Sequence, residues 1–229
     1  MSRFKFAIAL SIVASLSSAA LADRATPMKF AQAPVSVADI PNNYAAPAPI
    51  VRAAVRAKLA KNRAANLARF RVYQKKGVFP NNTYTDGKLN VWLDELGNLC
   101  AAATIMKLSG QDDLVQRTAD QSNFIRLADV TQGPLMDWIL TSGLTQDEIA
   151  AIQEPMMPVV MDPGVEPTVD PSPQPIVVDR RMRRVENRRL IQKYKQVDAQ
   201  IVKARNKSLD AATDRLLSNP DVAMNFLAS

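Results

Sequence analysis

Residues 50–77 read IVRAAVRAKLAKNRAANLARFRVYQKKG. No proline interrupts the run, alanine recurs through it, and the first glycine is Gly77, where a helix would stop. Val51, Val55 and Leu59 step by four, and Asn66, Phe70 and Tyr73 continue near the same face. The spacing predicts a helix from Ile50 to about Lys76 with one face in a core. Arg52, Arg56, Lys58, Lys61, Arg63, Arg69 and Arg71 decorate the rest of it. Such a basic face is ordinarily the solvated side of a helix, with contact to a polyanion as the alternative use.

Beyond this run the chain turns. Phe79-Pro80-Asn81-Asn82 and Asp86-Gly87 are turn chemistry, and Leu89, Val91 and Leu93 alternate with Asn90, Trp92 and Asp94 as in a short strand or extended hairpin arm. Leu99–Leu108 reads as a buried helix ended by Ser109-Gly110. Asp112 or Asp113 can cap the next helix, to about Asn123, and Pro134 suits the first turn of another with Leu135, Trp138 and Ile139 on its apolar face. Thr145-Gln146-Asp147-Glu148 is a capping box ahead of a last short helix that ends by Pro155. Together these give a helical globular domain over residues 50–154.

Residues 155–178 form an acidic, proline-rich linker. Seven prolines fall between Pro155 and Pro175, with Asp162, Glu166 and Asp170 and no cation, which reads as a semi-rigid spacer. Residues 179–229 follow as a basic helical arm with 12 Lys or Arg against 6 Asp or Glu. Asp179 is its N-cap, and no glycine or proline occurs before Pro220, which allows one long helix to about Leu217. Leu190, Tyr194, Val197, Ile201 and Ala204 have the spacing of a short coiled-coil seam, which Ser208 and Arg215 interrupt. The expected fold class is therefore mainly α: a small helical domain with a short extended segment, a proline-rich linker and a long basic C-terminal helix.

At the other end, Arg3 and Lys5 precede an uncharged run from Phe6 to Leu16, and Ala20-Leu21-Ala22 has the small-x-small pattern of signal peptidase sites. The run is too short to span a hydrocarbon layer, which needs about 20 apolar residues. Residues 1–22 are expected to be a signal peptide cleaved between Ala22 and Asp23, which predicts a periplasmic or secreted protein with no transmembrane span after processing. Residues 23–49 carry five prolines among alanines and read as a disordered leader.

Composition narrows the chemistry. There is no histidine, so the commonest general base, the commonest zinc ligand and every Ser-His or Cys-His nucleophile pair are absent. The seven glycines form no phosphate cradle, calcium-loop spacing is missing, and no cofactor is expected. The single cysteine, Cys100, precludes an internal disulfide. Net charge is +7, or +5 once Arg3 and Lys5 are removed with the leader.

Residues 63–155 resemble an uncharacterised family of secreted bacterial proteins. The likeness rests on Arg63, Asn66-Leu67, Tyr73, Gly77, Phe79-Pro80-Asn81, Asp94, Gly97, Cys100-Ala101, Ser109-Gly110, Trp138 and Ser142-Gly143-Leu144-Thr145. It implies no activity. Within the motif, Cys100 near a helix start has the setting of a favoured thiolate, but its alanine neighbours read as core and predict an inert thiol. Tyr73, Asn81 and Asp94 can converge beside it, although turn and capping roles account for the same residue types. Trp92 and Trp138 read as packing anchors.

The expected function is a non-enzymatic envelope or secreted protein. Arg180, Arg181, Arg183, Arg184, Arg188, Arg189, Lys193 and Lys195 would meet an anionic envelope surface or polymer, or the arm would self-associate through its seam. The same arginines could neutralise nucleic-acid phosphates, a use that export disfavours. The alternative is a carboxylate-dependent cell-wall hydrolase, for which Asp94-Glu95, Asp112-Asp113 and Asp147-Glu148 are the paired acids, each also explained by capping.

Overall fold

The long Ala-rich run is a helix, α1 (Arg52–Lys76), and its buried stripe is Val55, Leu59, Arg63, Asn66, Leu67, Phe70 and Tyr73. Gly77 closes it, its N–H reaching the Tyr73 carbonyl at 3.2 Å. The structure, a computed structural model, describes residues 52–160 and 177–229. The readings for the signal peptide, the cleavage at Ala22-Asp23, the leader and most of the proline-rich linker lie outside the described residues.

Around α1 stand α2 (Ala101–Leu108), α3 (Asp112–Ser122), α4 (Pro134–Thr141) and α5 (Gln146–Ile152). The alanines that open α2 are fully buried and let its backbone pack closely on α1. Pro134 starts α4, and the capping box of α5 is present in both directions between Thr145 and Glu148. The N-cap of α3 is Gln111 rather than either aspartate, which stand exposed in the first turn. The molecule is mainly helical, and no helix of the described residues is long and apolar enough to cross a membrane.

The segment between α1 and α2 is extended but forms no hairpin. Among the described residues it is held by single bridges, Leu89 to Met156, Leu93 to Leu99 and Asn82 to Pro158. Nor does it alternate as expected: Val91 and Trp92 are both buried, and Trp92 anchors the segment by donating its indole N–H to the Val115 carbonyl at 3.0 Å. An isolated segment bonded to loops on several sides has no single solvent face, so period-two patterning does not describe it.

The largest correction concerns the C-terminal third. The expected arm is three helices, α6 (Arg180–Lys203), α7 (Arg205–Leu217) and α8 (Pro220–Ala228), and none is held apart. The described residues 52–160 and 177–229 belong to one compact unit, in which α6 lies on α1 and α5 while α7 and α8 lie on α1 and α4. Leu190, Tyr194, Val197 and Ile201 are buried in the same core cluster as Phe70 and Tyr73, so the coiled-coil seam is covered by the protein's own domain. The boundary at residue 154 is not one either: Met156 and Val159 are buried, and the Asp179 N–H bonds the Val159 carbonyl at 2.8 Å. The described residues that flank the proline-rich segment, Val159 and Asp179, therefore sit side by side.

The predicted single helix breaks at Ala204, which has no glycine or proline to announce it. Beyond the break α7 continues the antiparallel course of α6 along α1, where Arg52 meets Asp214 at 2.8 Å and Arg56 meets Asp210 at 2.6 Å. Arg71 pairs with Asp198 at 3.1 Å and Lys58 bonds the Phe226 carbonyl at 2.5 Å. Much of the basic decoration of α1 thus engages the C-terminal helices, while Arg52 and Arg71 keep about half of their side-chain surface exposed.

A chain ending at residue 160 is expected not to fold cooperatively. It would lack Leu190, Tyr194, Val197, Ile201, Leu209, Leu216 and Phe226, all buried. At about 1.5–3 kcal/mol each the loss is roughly 10–20 kcal/mol, as large as the whole stability of a typical domain. Thermal unfolding followed by circular dichroism checks this. A sharp transition in the truncated chain would contradict the shared core.

Candidate functional site

The eight cations predicted to meet an anionic partner do not act alike. Arg183 is half-buried and donates to the Phe79 and Pro80 carbonyls, the latter at 2.8 Å, and burial lowers its pKa. Arg189 bonds Glu186 at 2.7 Å, Glu154 at 2.5 Å and the Pro155 carbonyl at 2.7 Å, while Lys193 stands 3.7 Å from Glu154. The Glu186 carboxylate is the main reason that the Arg189 pKa is raised. These three fasten α6 to the rest of the domain.

Arg180, Arg181, Arg184, Arg188 and Lys195 are exposed. At about 100° per residue, the last four fall within an arc of about 60° opposite the Leu190–Tyr194–Val197 stripe. Glu186, the one acid between Arg181 and Lys195, is buried and held by Arg189 and by the Met157 N–H, so it does not neutralise this arc. Helical amphipathicity here has an apolar face docked in the core and a cationic face turned outward.

The motif residues gather elsewhere, at the C-terminal end of α1 and around the turn that leads into α2. Phe70, Tyr73, Phe79 and Tyr194 form a buried aromatic cluster with ring centroids 5.3–5.7 Å apart. Burial raises the pKa of both tyrosines, and neither hydroxyl has a hydrogen-bond partner among the described residues. Asp94 organises the adjoining turn. Its carboxylate accepts from the N–H groups of Asn81 (2.9 Å), Leu96 (3.0 Å) and Asn98 (2.8 Å), and from the Asn98 amide at 3.0 Å. Pro80 is buried against this turn's neighbours, with its carbonyl taken by Arg183. Cys100 caps α2 by accepting the Ala103 N–H at 3.4 Å, and burial pushes its thiol up to about 12, far from a reactive thiolate.

This scaffold leaves a cavity of about 380 Å³ lined by Val72, Tyr73, Lys76, Val78, Gly97, Asn98, Leu99, Thr104, Lys107 and Leu108. Only Tyr73 and Gly97 of that wall stand out in the sequence. Val72 and Leu108 are outward positions of separate helices, and nothing local indicates that they face one concavity.

Of the paired acids, Asp112, Asp113 and Asp147 are exposed, and the other three are engaged. Asp94 is spent on backbone N–H groups, Glu95 accepts from the Thr83 hydroxyl at 2.6 Å, and Glu148 is bound to Arg63 by two contacts of 2.7 Å. Trp138 is buried and its indole reaches the Ser109 hydroxyl at 3.3 Å, a packing role. No protein-family model matches the chain, and neither a curated protein nor a solved structure matches it.

Proposed function

We propose that this is an exported, non-enzymatic protein that binds a phosphate-bearing envelope surface through the outward face of α6. The observation that carries the reading is the division of labour along that helix. Its apolar stripe is consumed by the protein's own core, while Arg181, Arg184, Arg188 and Lys195 share an exposed arc with no acid among them. A rigid row of cations meets a lattice of anions without the entropy cost of ordering a free arm. Because the seam residues are already buried, pairing of two chains through them would require α6 to leave its domain. The signal-peptide pattern of residues 1–22 supports an encounter outside the cytoplasm.

Co-sedimentation with vesicles tests the reading. The protein is expected to pellet with anionic phospholipid, not with neutral lipid, and to be released by salt. At about 1 kcal/mol per cation, R181Q/R184Q/R188Q should weaken binding by ~3 kcal/mol, about a hundredfold, with unchanged melting. Delipidated envelope, assayed beside the vesicles, separates lipid phosphate from polymer phosphate. Protein recovered from outside the cytoplasm is expected to begin at Asp23. Equal binding to neutral vesicles, or a triple variant that still binds both targets, would overturn the proposal.

A further inference from the structure

We propose that the cavity at the C-terminal ends of α1 and α2 is a binding site for a single-chain amphiphile with one carboxylate head. Val72 is 61% exposed, Val78 41% and Leu108 51%, and all three surround the same concavity. Lone exposed hydrophobics are ordinary on a protein surface, but a cluster around a hollow marks a place that an apolar group covers.

The wall is also rigid. The four hydrogen bonds accepted by Asp94 fix residues 94–98, and the aromatic cluster backs Tyr73 from inside. A preformed apolar hollow binds without first having to be ordered. Its volume of about 380 Å³ lies at the small end of ligand pockets, which suits one medium-length chain with its head, and decanoate serves as the probe.

Charge sets the head group. Lys76 and Lys107 are the ionisable side chains of the lining that carry charge at neutral pH, and no carboxylate lines it. Both are exposed members of the lining, with long side chains that can bring their ammonium groups to its mouth. An anionic head placed there meets two cations, and a cationic head is repelled by both. Thr104 supplies a hydroxyl among the lining residues.

Isothermal titration of the whole protein with decanoate below its micelle concentration tests the site. One decanoate per chain is expected. With two exposed ion pairs contributing together about 1.4 kcal/mol, decanol should bind about tenfold more weakly, and decyltrimethylammonium weaker still. K76Q/K107Q should bring decanoate down to the affinity of decanol. V72E, a change at an exposed position, should weaken decanoate at least as much while melting and binding to anionic vesicles stay the same. That retained vesicle binding separates this site from the α6 surface, so either can fail alone. Absence of decanoate binding, equal affinity for the three head groups, or indifference to V72E would each overturn it. A dimer that V72E dissociates would do so too, by assigning the hollow to a second copy of the chain.

Discussion

Gly143→Ala is expected to destabilise the protein by about 4 kcal/mol or more, at the extreme of single substitutions. Gly143 crosses α1 where a Cβ would stand 2.1 Å from the Leu59 carbonyl oxygen, 2.7 Å from the Arg63 nitrogen and 2.9 Å from the Arg63 Cβ. Two of these neighbours are backbone, and they are one helical turn apart, so no rotamer change makes room. The residue also has φ +78°, a left-handed conformation that costs an alanine roughly 1–2 kcal/mol by itself. Gly110 separates the two effects, because its φ is +86°, the Gln111 N–H bonds the Met106 carbonyl across it as at a left-handed helix end, and a Cβ there would meet nothing within 4 Å. Gly110→Ala should therefore show only the conformational cost. Thermal unfolding compares them: at about 2–4 °C per kcal/mol for a chain of this size, Gly143→Ala should melt roughly 10 °C lower than the wild type. If the two variants melt within about 2 °C of each other, the close crossing at α1 is not the constraint.

The second large effect belongs to the ion pair beside that crossing. Arg63 and Glu148 are both buried, and the guanidinium also donates to the Gly143 carbonyl at 3.0 Å and the Ile201 carbonyl at 2.9 Å. One side chain thus ties α1 to the turn before α5, to α5 itself and to α6 just before the break at Ala204. Glu148→Gln leaves the buried arginine without its counter-charge, and Arg63→Met leaves both the carboxylate and two carbonyls short of donors. Removing one member of such a pair costs about 3–5 kcal/mol. The double variant R63M/E148L removes both charges, so it should be less destabilised than the sum of the single variants, yet the orphaned carbonyls should keep it below wild type by about 1–3 kcal/mol. Urea unfolding of the four proteins in a cycle gives the coupling. Strict additivity would mean that the two groups do not stabilise one another.

The Arg63 node also shows how far the sequence reached. Local signals were sound where the physics is local. The helix over 52–76 and its stop at Gly77, the Thr145–Glu148 capping box and the Asp179 cap, whose carboxylate accepts the Met182 N–H at 2.7 Å, all depend on groups within a few residues of each other. Periodicity likewise marked Leu190, Tyr194, Val197 and Ile201 as one apolar face. It could not say what covers that face, because a stripe on a helix looks the same whether its partner is a second chain or Phe70 and Tyr73 of the same chain.

Charge was read least well, for a related reason. Arg63 sits among the cations of α1 and has the same letter as its solvated neighbours, yet its acceptors lie 85 and 138 residues away. Of the eight α6 cations, composition treated all as one surface, whereas Arg183, Arg189 and Lys193 turn inward because Phe79, Pro80 and Glu154 are brought beneath them. The apolar hollow is the extreme case: its wall comes from three separated stretches, with no local pattern joining Val72 to Leu108. The helices, most of their caps and their apolar faces were written in the residues themselves, since these follow from bonds and sterics within a turn or two. That the C-terminal third completes the core, that α6 breaks at Ala204, and which cations face outward all had to wait for the folded chain, since each depends on what distant segments place opposite them.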